Sequence, residues 1–157
     1  MTDTNGQDVC DMLRNLAPQV SQTDQAAIAA VERIERFLSQ QCKLELPSST
    51  LVFQDDADGS ELLLAYDQFE NAFRILVVRR LPRRSASGDI EFDRFGKPVI
   101  QRTETTPWQS CDRATRFATL IAMPQLLENL TSTVSIAIEM GKRATSSVEK
   151  LLVALPE

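Results

Sequence analysis

Residues 50–79 carry apolar side chains at every second position, and two short polar segments interrupt the pattern. A period of two is typical of strands with one buried face. It predicts an antiparallel meander with strands at about 50–54, 61–67 and 73–79. The residues predicted to share the inner face are Leu51, Phe53, Leu62, Leu64, Tyr66, Phe73, Ile75 and Val77. A chain with this segment must cover that face, and helices on either side of the segment are suited to do so.

The two polar segments predict the strand pairing. Asp58-Gly59 favours a two-residue hairpin turn, because both central positions of such a turn require positive φ. Residues 54–67 also resemble a calcium loop, but the twelfth position is Ala65, which has no ligand atom, so we interpret the segment as a turn. We expect a four-residue loop at 68–71. The predicted pairs are Phe53 with Leu64, Leu51 with Tyr66, Tyr66 with Phe73, Leu64 with Ile75, and Leu62 with Val77.

A second hairpin is predicted at 89–102, with Asp89 opposite Arg102, which brings the sheet to about five strands. Leu63, Leu76 and Val78 alternate away from the inner face. We therefore expect a further layer of the chain or a partner subunit to cover the outer face.

Helices are predicted on both sides of the sheet. The first begins at Ser21 or Thr23 and ends before Pro47. Its apolar positions at helical spacing are Ala27, Ile28, Val31, Ile34, Phe37 and Leu38. Residues 1–20 show only a faint helical pattern, and we expect a flexible or weakly helical arm. The predicted organisation is this arm at 1–20 followed by a single α+β domain at 21–157.

Two or three C-terminal helices are predicted after Pro107. Ser110 is the expected N-cap of the first, and Pro124 either kinks it or opens the next helix. Residues 131–140 suit a helix or a strand, and the helical flanks favour a helix. Gly141 is then a natural helix end, and Ser146 with Glu149 forms a capping box for a last helix. The alternative is one continuous helix with coiled-coil spacing. Its seam positions are 134, 138, 141, 145, 148, 152 and 155.

Several kinds of catalytic and binding site require residues or motifs that the chain does not contain. The chain contains no histidine, which excludes histidine-dependent nucleophilic and metal sites. Its five glycines are isolated, so no phosphate-binding glycine motif is present. Cys111 near a helix start suits either a reactive thiol or an inert core residue, and we favour the second. The sequence therefore predicts no metal site, no cofactor and no recognisable catalytic residue.

Charge is distributed unevenly along the chain. Residues 1–73 carry net −9, residues 74–102 net +5 and residues 103–157 net −1. The candidate partner- or anion-binding residues are Arg79, Arg80, Arg83 and Arg84. These arginines suit either an anionic ligand or ion pairs with the acidic part of this or a second copy. Trp108 with Arg113 and Arg116 is a second candidate patch, although an indole in the core is the more common arrangement.

The function expected from these observations is a non-enzymatic protein-interaction module that self-associates. One alternative is a binder of nucleic acid or phosphate through the Arg79–Arg84 loop, and the other is an enzyme using carboxylates or a thiol. The expected partners are a second copy or another protein, with nucleic acid ranked behind them and no membrane. The acidic N-terminus without a signal pattern and the three cysteines favour the cytoplasm.

Overall fold

The computed structural model describes the backbone of residues 4–153 and the side chains of residues 9–150. It contains an N-terminal helix, four strands and two C-terminal helices. In chain order these are α1 (Thr4–Arg36), β1 (Ser48–Gln54), β2 (Glu61–Phe69), β3 (Ala72–Pro82), β4 (Ile100–Pro107), α2 (Arg113–Leu120) and α3 (Met123–Val153). A π-helical turn (Phe37–Gln41) extends α1, and a 3-10 turn (Trp108–Ser110) precedes α2. The predicted α+β architecture is confirmed.

The strands form one antiparallel sheet in the order β1-β2-β3-β4. The predicted count of about five is wrong, because residues 89–93 form only isolated bridges. Residues 83–99, called the flap below, leave the sheet after β3 and return to it at β4. Within the flap, Arg84 bridges Ile90 and Phe92 bridges Pro98.

The predicted pairing of Asp89 with Arg102 is therefore absent. Its carboxylate accepts a hydrogen bond from Ser87, and Arg102 lies opposite Leu81 and pairs with Glu104. The predicted pair is wrong because β4 pairs with β3 instead of with the weakly alternating segment that precedes it.

The inner face of β2 and β3 is as predicted, but its register is not. Leu64 and Ile75 are both fully buried in the same core cluster. Tyr66 lies opposite Ile75, and Leu64 opposite Val77, which is a shift of two residues from the predicted pairs. The cause is a tight turn at Glu70-Asn71, where Glu70 takes a φ of 55°, in place of the predicted four-residue loop.

The prediction for β1 is wrong in phase. A bulge between Leu51 and Phe53 breaks the register, so Leu51 pairs with Leu63 and Phe53 with Leu62. Both side chains are more than half exposed, whereas Val52 packs against the core cluster. The connection to β2 is also longer than a two-residue turn. Gly59 donates to the carbonyl of Asp55, and Asp55 donates to that of Ser60.

The helices are longer than predicted. The helix expected from Ser21 belongs to α1, which begins at Thr4 and includes Pro18. Residues 131–140 are helical, as favoured, but α3 continues through Gly141 and Ser146. The predicted helix end and capping box are therefore wrong, and the alternative of a continuous helix is confirmed as far as Val153. Its last seam position, 155, lies outside the described residues, and coiled-coil pairing along the seam stays a prediction. Pro124 lies in the first turn of α3, where a proline is tolerated.

Asp112, not Ser110, caps α2, since its side chain accepts from the backbone N–H of Thr115. The core lies between one face of the sheet and the helices. Its fully buried members include Val31 of α1, Leu64, Ile75, Trp108 and Leu126 of α3. The predicted division into an arm at 1–20 and a domain at 21–157 stays a prediction.

Candidate interaction surfaces

The four candidate arginines lie on β3 and at the start of the flap. Arg80 is within 3.6 Å of Glu61 on the neighbouring strand, and the Arg83 guanidinium pairs with Glu91. Arg79 is exposed and lies opposite Glu104 on β4.

Arg84 donates 2.7 Å to the Gly88 carbonyl and 3.3 Å to that of Asp58. The structure thus brings Arg84 to the acidic hairpin tip between β1 and β2. Part of the hydrogen-bonding capacity of these arginines is used within the chain, and anion binding by this loop stays a prediction.

A partly buried ion cluster joins α1 to α2. Arg116 donates to both carboxylate oxygens of Asp24, at 3.0 and 2.6 Å, and Arg113 donates at 3.3 Å. Only 6% of Asp24 is exposed, and these bonds from Arg116 hold the pKa of its carboxyl below the usual value. Arg116 also lies 6.0 Å from the Trp108 ring. This Trp108 patch is therefore part of the core and helix packing rather than an open surface.

Sequence reasoning missed the role of Asp24, although a signal was present. Asp24 precedes Ala27, Ile28 and Val31 at helical spacing, so it lies on the apolar face of α1. A carboxylate on such a face requires a cationic partner once buried. The arginines after Trp108 were the natural candidates.

The N-terminal half of α1 carries an uncovered apolar surface. The α1 arm, residues 4–20, continues the helix that packs on the sheet through Ala27 and Val31. Five large apolar side chains of the arm are 40–61% exposed. They are Val9, Met12, Leu13, Leu16 and Val20, and are called the α1 stripe below. Their spacing continues that of the buried positions 24, 27 and 31, so one face of α1 runs from residue 9 to the core and is apolar apart from Asp24.

The C-terminal half of α3 has exposed apolar residues of its own. Ile136, Ile138, Met140 and Val148 are 52–66% exposed. A shallow cavity of about 310 Å³ lies beside Ile136 and Met140. The apolar residues here are less regularly spaced than in the α1 stripe, because Gly141 and Thr145 occupy the seam positions between Ile138 and Val148.

Cys111 lines a cleft of about 490 Å³ between the inner face of β3 and β4 and the start of α2. Arg79, Glu104 and Asp112 are among the other lining residues. Burial, and then the nearby Asp112 carboxylate, raise the pKa of the Cys111 thiol. Its Sγ lies 3.6 Å from the Pro107 carbonyl. A raised pKa disfavours the thiolate, so this thiol lacks the property that makes a cysteine nucleophilic.

Glu35 of α1 binds the backbone at the edge of β3. Its carboxylate accepts from the backbone N–H of Ile75 at 3.4 Å and lies 4.0 Å from Arg74. β4 pairs with β3 only from Leu76 onward, so Glu35 takes the place of a strand at the free position. Burial raises the pKa of this carboxyl. Burial also raises the pKa of Tyr66 to about 12, and its hydroxyl donates 2.9 Å to the Leu44 carbonyl.

Two features are absent from the residues that the structure describes. No group of three or more cysteines and carboxylates is placed to hold a metal ion in that part of the chain. None of the helices within it combines the length and the apolar character needed to cross a membrane. Comparisons of the whole chain with protein-family models, with curated proteins and with solved structures find no match.

Proposed function

We propose that this chain is a protein-interaction module that self-associates through the N-terminal half of α1. The observation that carries the proposal is the α1 stripe. Its five side chains lie on the face that packs on the sheet in the second half of α1, but here they are 40–61% exposed. Contiguous exposed apolar side chains rimmed by polar residues are typical of protein–protein contact sites.

The size of the stripe sets the expected strength of association. Complete burial of a large aliphatic side chain contributes about 1.5–3 kcal/mol, so burying the remaining half contributes about 1 kcal/mol. Five such side chains on each of two copies give about 10 kcal/mol. The association itself costs about 4–15 kcal/mol. The balance is small, and we therefore expect a reversible, concentration-dependent assembly.

The site geometry supports no catalytic assignment. The Cys111 thiol has a raised pKa, and the ionic cluster around Asp24 holds α1 against α2. The raised pKa of Glu35 accompanies a hydrogen bond to the backbone of β3. These groups have structural partners, which favours an interaction role over the carboxylate or thiol enzyme considered from the sequence.

Sedimentation equilibrium over a wide concentration range tests the proposal. We expect the average mass to rise with concentration for the wild type. Leu13→Glu plus Leu16→Glu places two carboxylates on the stripe, and the protein should remain a monomer. The matched control, Asn15→Glu plus Gln22→Glu, adds the same charge at exposed positions off the stripe and should associate as the wild type does.

A wild-type protein that stays monomeric at its highest soluble concentration would refute the proposal. Equal association by the two double variants would exclude the stripe as the contact. Circular dichroism of each variant establishes that it is folded before its mass is interpreted.

A further inference from the structure

We infer that two copies pair through their α1 arms in antiparallel orientation, with Leu13 of each copy packed over the partner's Leu16. This inference rests on the proposed function and specifies the occupant of the α1 stripe and its direction. The arm is the part of α1 from residue 4 to residue 20, about 25 Å long at 1.5 Å per residue, so two arms side by side can bury the whole stripe of each.

The direction follows from what the same helix face does further along the chain. At Asp24, Ala27 and Val31 this face packs against the protein's own α2 and sheet. In a parallel pair the two helices would remain side by side beyond residue 20. The sheet and α2 of each copy would then have to occupy the same space. In an antiparallel pair the two sheets lie at opposite ends of the paired arms, and neither obstructs the other.

The spacing within the arm fits this arrangement. Val9, Leu13, Leu16 and Val20 follow one another at intervals of four, three and four residues. Antiparallel pairing about the middle of this set places Leu13 over the partner's Leu16, and Val9 over the partner's Val20. All four core positions of one arm thereby meet an apolar residue of the other.

The flanks of the stripe are free of charge. The residues beside the core positions are Cys10, Met12, Ala17 and Gln19. The charged residues Asp11 and Arg14 lie off the stripe and pair with each other at 2.9 Å. Self-pairing therefore brings no like charges together, and a second copy satisfies the stripe without a cationic or anionic partner.

The area is near the lower limit for a specific interface. Half-burial of five aliphatic side chains on each copy removes on the order of 500 Å² of apolar surface from water. With the polar part of such contacts included, the total is about 1,000 Å². Specific interfaces exceed roughly this value, which agrees with a reversible dimer.

Disulfide trapping distinguishes the two directions. In the antiparallel pair Cys10 lies beside the partner's Ala17, whereas in a parallel pair residues 10 and 17 of the two copies lie about 10 Å apart along the helix axis. We would introduce Ala17→Cys into a Cys42→Ser background, which removes the other exposed thiol. Mild oxidation should then give a covalent dimer, and peptide mapping should identify a bond between residues 10 and 17. The matched control, Asn15→Cys in the same background, should give little covalent dimer because position 15 lies off the stripe.

The outcomes separate this inference from the function on which it rests. A Cys10–Cys10 bond in the Cys42→Ser protein would overturn the antiparallel direction. A dimer in sedimentation without a 10–17 bond would also overturn the inference, while the proposed self-association would stand. A monomer at every concentration would overturn both. Addition of Leu13→Glu and Leu16→Glu to the trapped variant should abolish the covalent dimer.

Discussion

The hydrogen bond between Trp108 and Thr119 offers a quantitative test of the core. The indole Nε1–H donates to the Thr119 Oγ1 at 3.0 Å, and both residues are fully buried. Thr119→Val replaces the hydroxyl by a methyl group of similar size. The indole N–H then has no acceptor from this residue in a site closed to water.

The magnitude follows from the cost of an unpaired buried donor. Leaving such a group without its partner destabilises a protein by about 1–3 kcal/mol. The Thr119 hydroxyl also donates to the Thr115 carbonyl at 2.8 Å, but that carbonyl belongs to a helix turn and matters less. For a chain of this length, the expected loss corresponds to a fall in Tm of about 2–12 °C.

Urea unfolding followed by the fluorescence of the single tryptophan is the direct assay. It should be performed in the Leu13→Glu plus Leu16→Glu background, so that association does not contribute to the free energy of unfolding. Thr131→Val is the matched control, because Thr131 is an exposed helical threonine whose hydroxyl donates only to the Leu127 carbonyl. Losses that agree within about 0.5 kcal/mol for the two variants would refute the assigned hydrogen bond.

Three further predictions concern stability. Gly59→Ala should destabilise more than Gly96→Ala in urea unfolding: both glycines have positive φ, but only at Gly59 would the new Cβ lie 2.6 Å from the Ile90 Cδ1, and equal losses would contradict the packing of the hairpin tip on the flap. The Asp24 carboxyl has a lowered pKa through its bond to Arg116, so its stabilising effect is present above the unfolded-state pKa and is lost as pH falls through the folded-state pKa. Over this acid range the Tm of Asp24→Asn should therefore fall less than that of the wild type. Parallel profiles of Tm against pH would contradict the ion cluster. The Glu35 carboxyl has a raised pKa through burial, so its stabilising effect is present below the unfolded-state pKa and is lost as pH rises through the folded-state pKa. The Tm of Glu35→Gln should therefore rise relative to the Tm of the wild type between mildly acidic and neutral pH. A Tm difference that does not change with pH would contradict the burial of this carboxylate.

The period-two pattern predicted the inner face of β2 and β3 correctly because a register error of two residues does not change the face on which a side chain lies. The turn at Glu70-Asn71 is two residues shorter than the predicted loop, which moves every pair by two positions. A shift of two leaves each side chain on its original face, whereas a shift of one would reverse all of them. Leu64 and Ile75 therefore meet in the core although their predicted partners were different.

The same argument explains the failure at β1. A bulge adds one residue to one strand, so the alternation before it and after it no longer agree. Leu51 lies on the outer face, and Val52 reaches the core. No composition signal marks this bulge, since β1 contains neither glycine nor proline. The position of a bulge depends on how the strand fits its neighbours, which is a property of the folded chain.

The predicted helix ends are wrong for a related reason. Ser21, Gly141 and Ser146 are residues favoured at helix termini, but such preferences amount to about 1 kcal/mol each. The residues on both sides of these three positions also suit a helix, and the helix continues through them. Pro124 was predictive because a proline imposes a steric limit rather than a preference.

The candidate surface was predictable only in part. The arginines of β3 and the flap were apparent from charge, and their partners Glu61, Glu91 and the Asp58 carbonyl depend on strand pairing and loop contacts. The faint helical pattern at Val9, Met12, Leu13 and Leu16 is visible in the sequence, but on its own it predicts only a flexible or weakly helical arm. Its significance depends on phase, since only the packing of Ala27 and Val31 shows which face of α1 is directed at the core.

The direction of the apolar face along α1 determines how two copies can assemble. A helix that leaves its own core while its apolar face continues must either end, turn that face toward another part of the chain, or meet a partner. In α1 the face continues for about three turns before Asp24, and the side chains on it remain 40–61% exposed. Because the protein's own sheet occupies the same face further along, a second copy can approach it only from the opposite direction. The fold of the single chain thus determines the direction of the pair, and a parallel trapped dimer would require α1 to separate from its own core beyond residue 20.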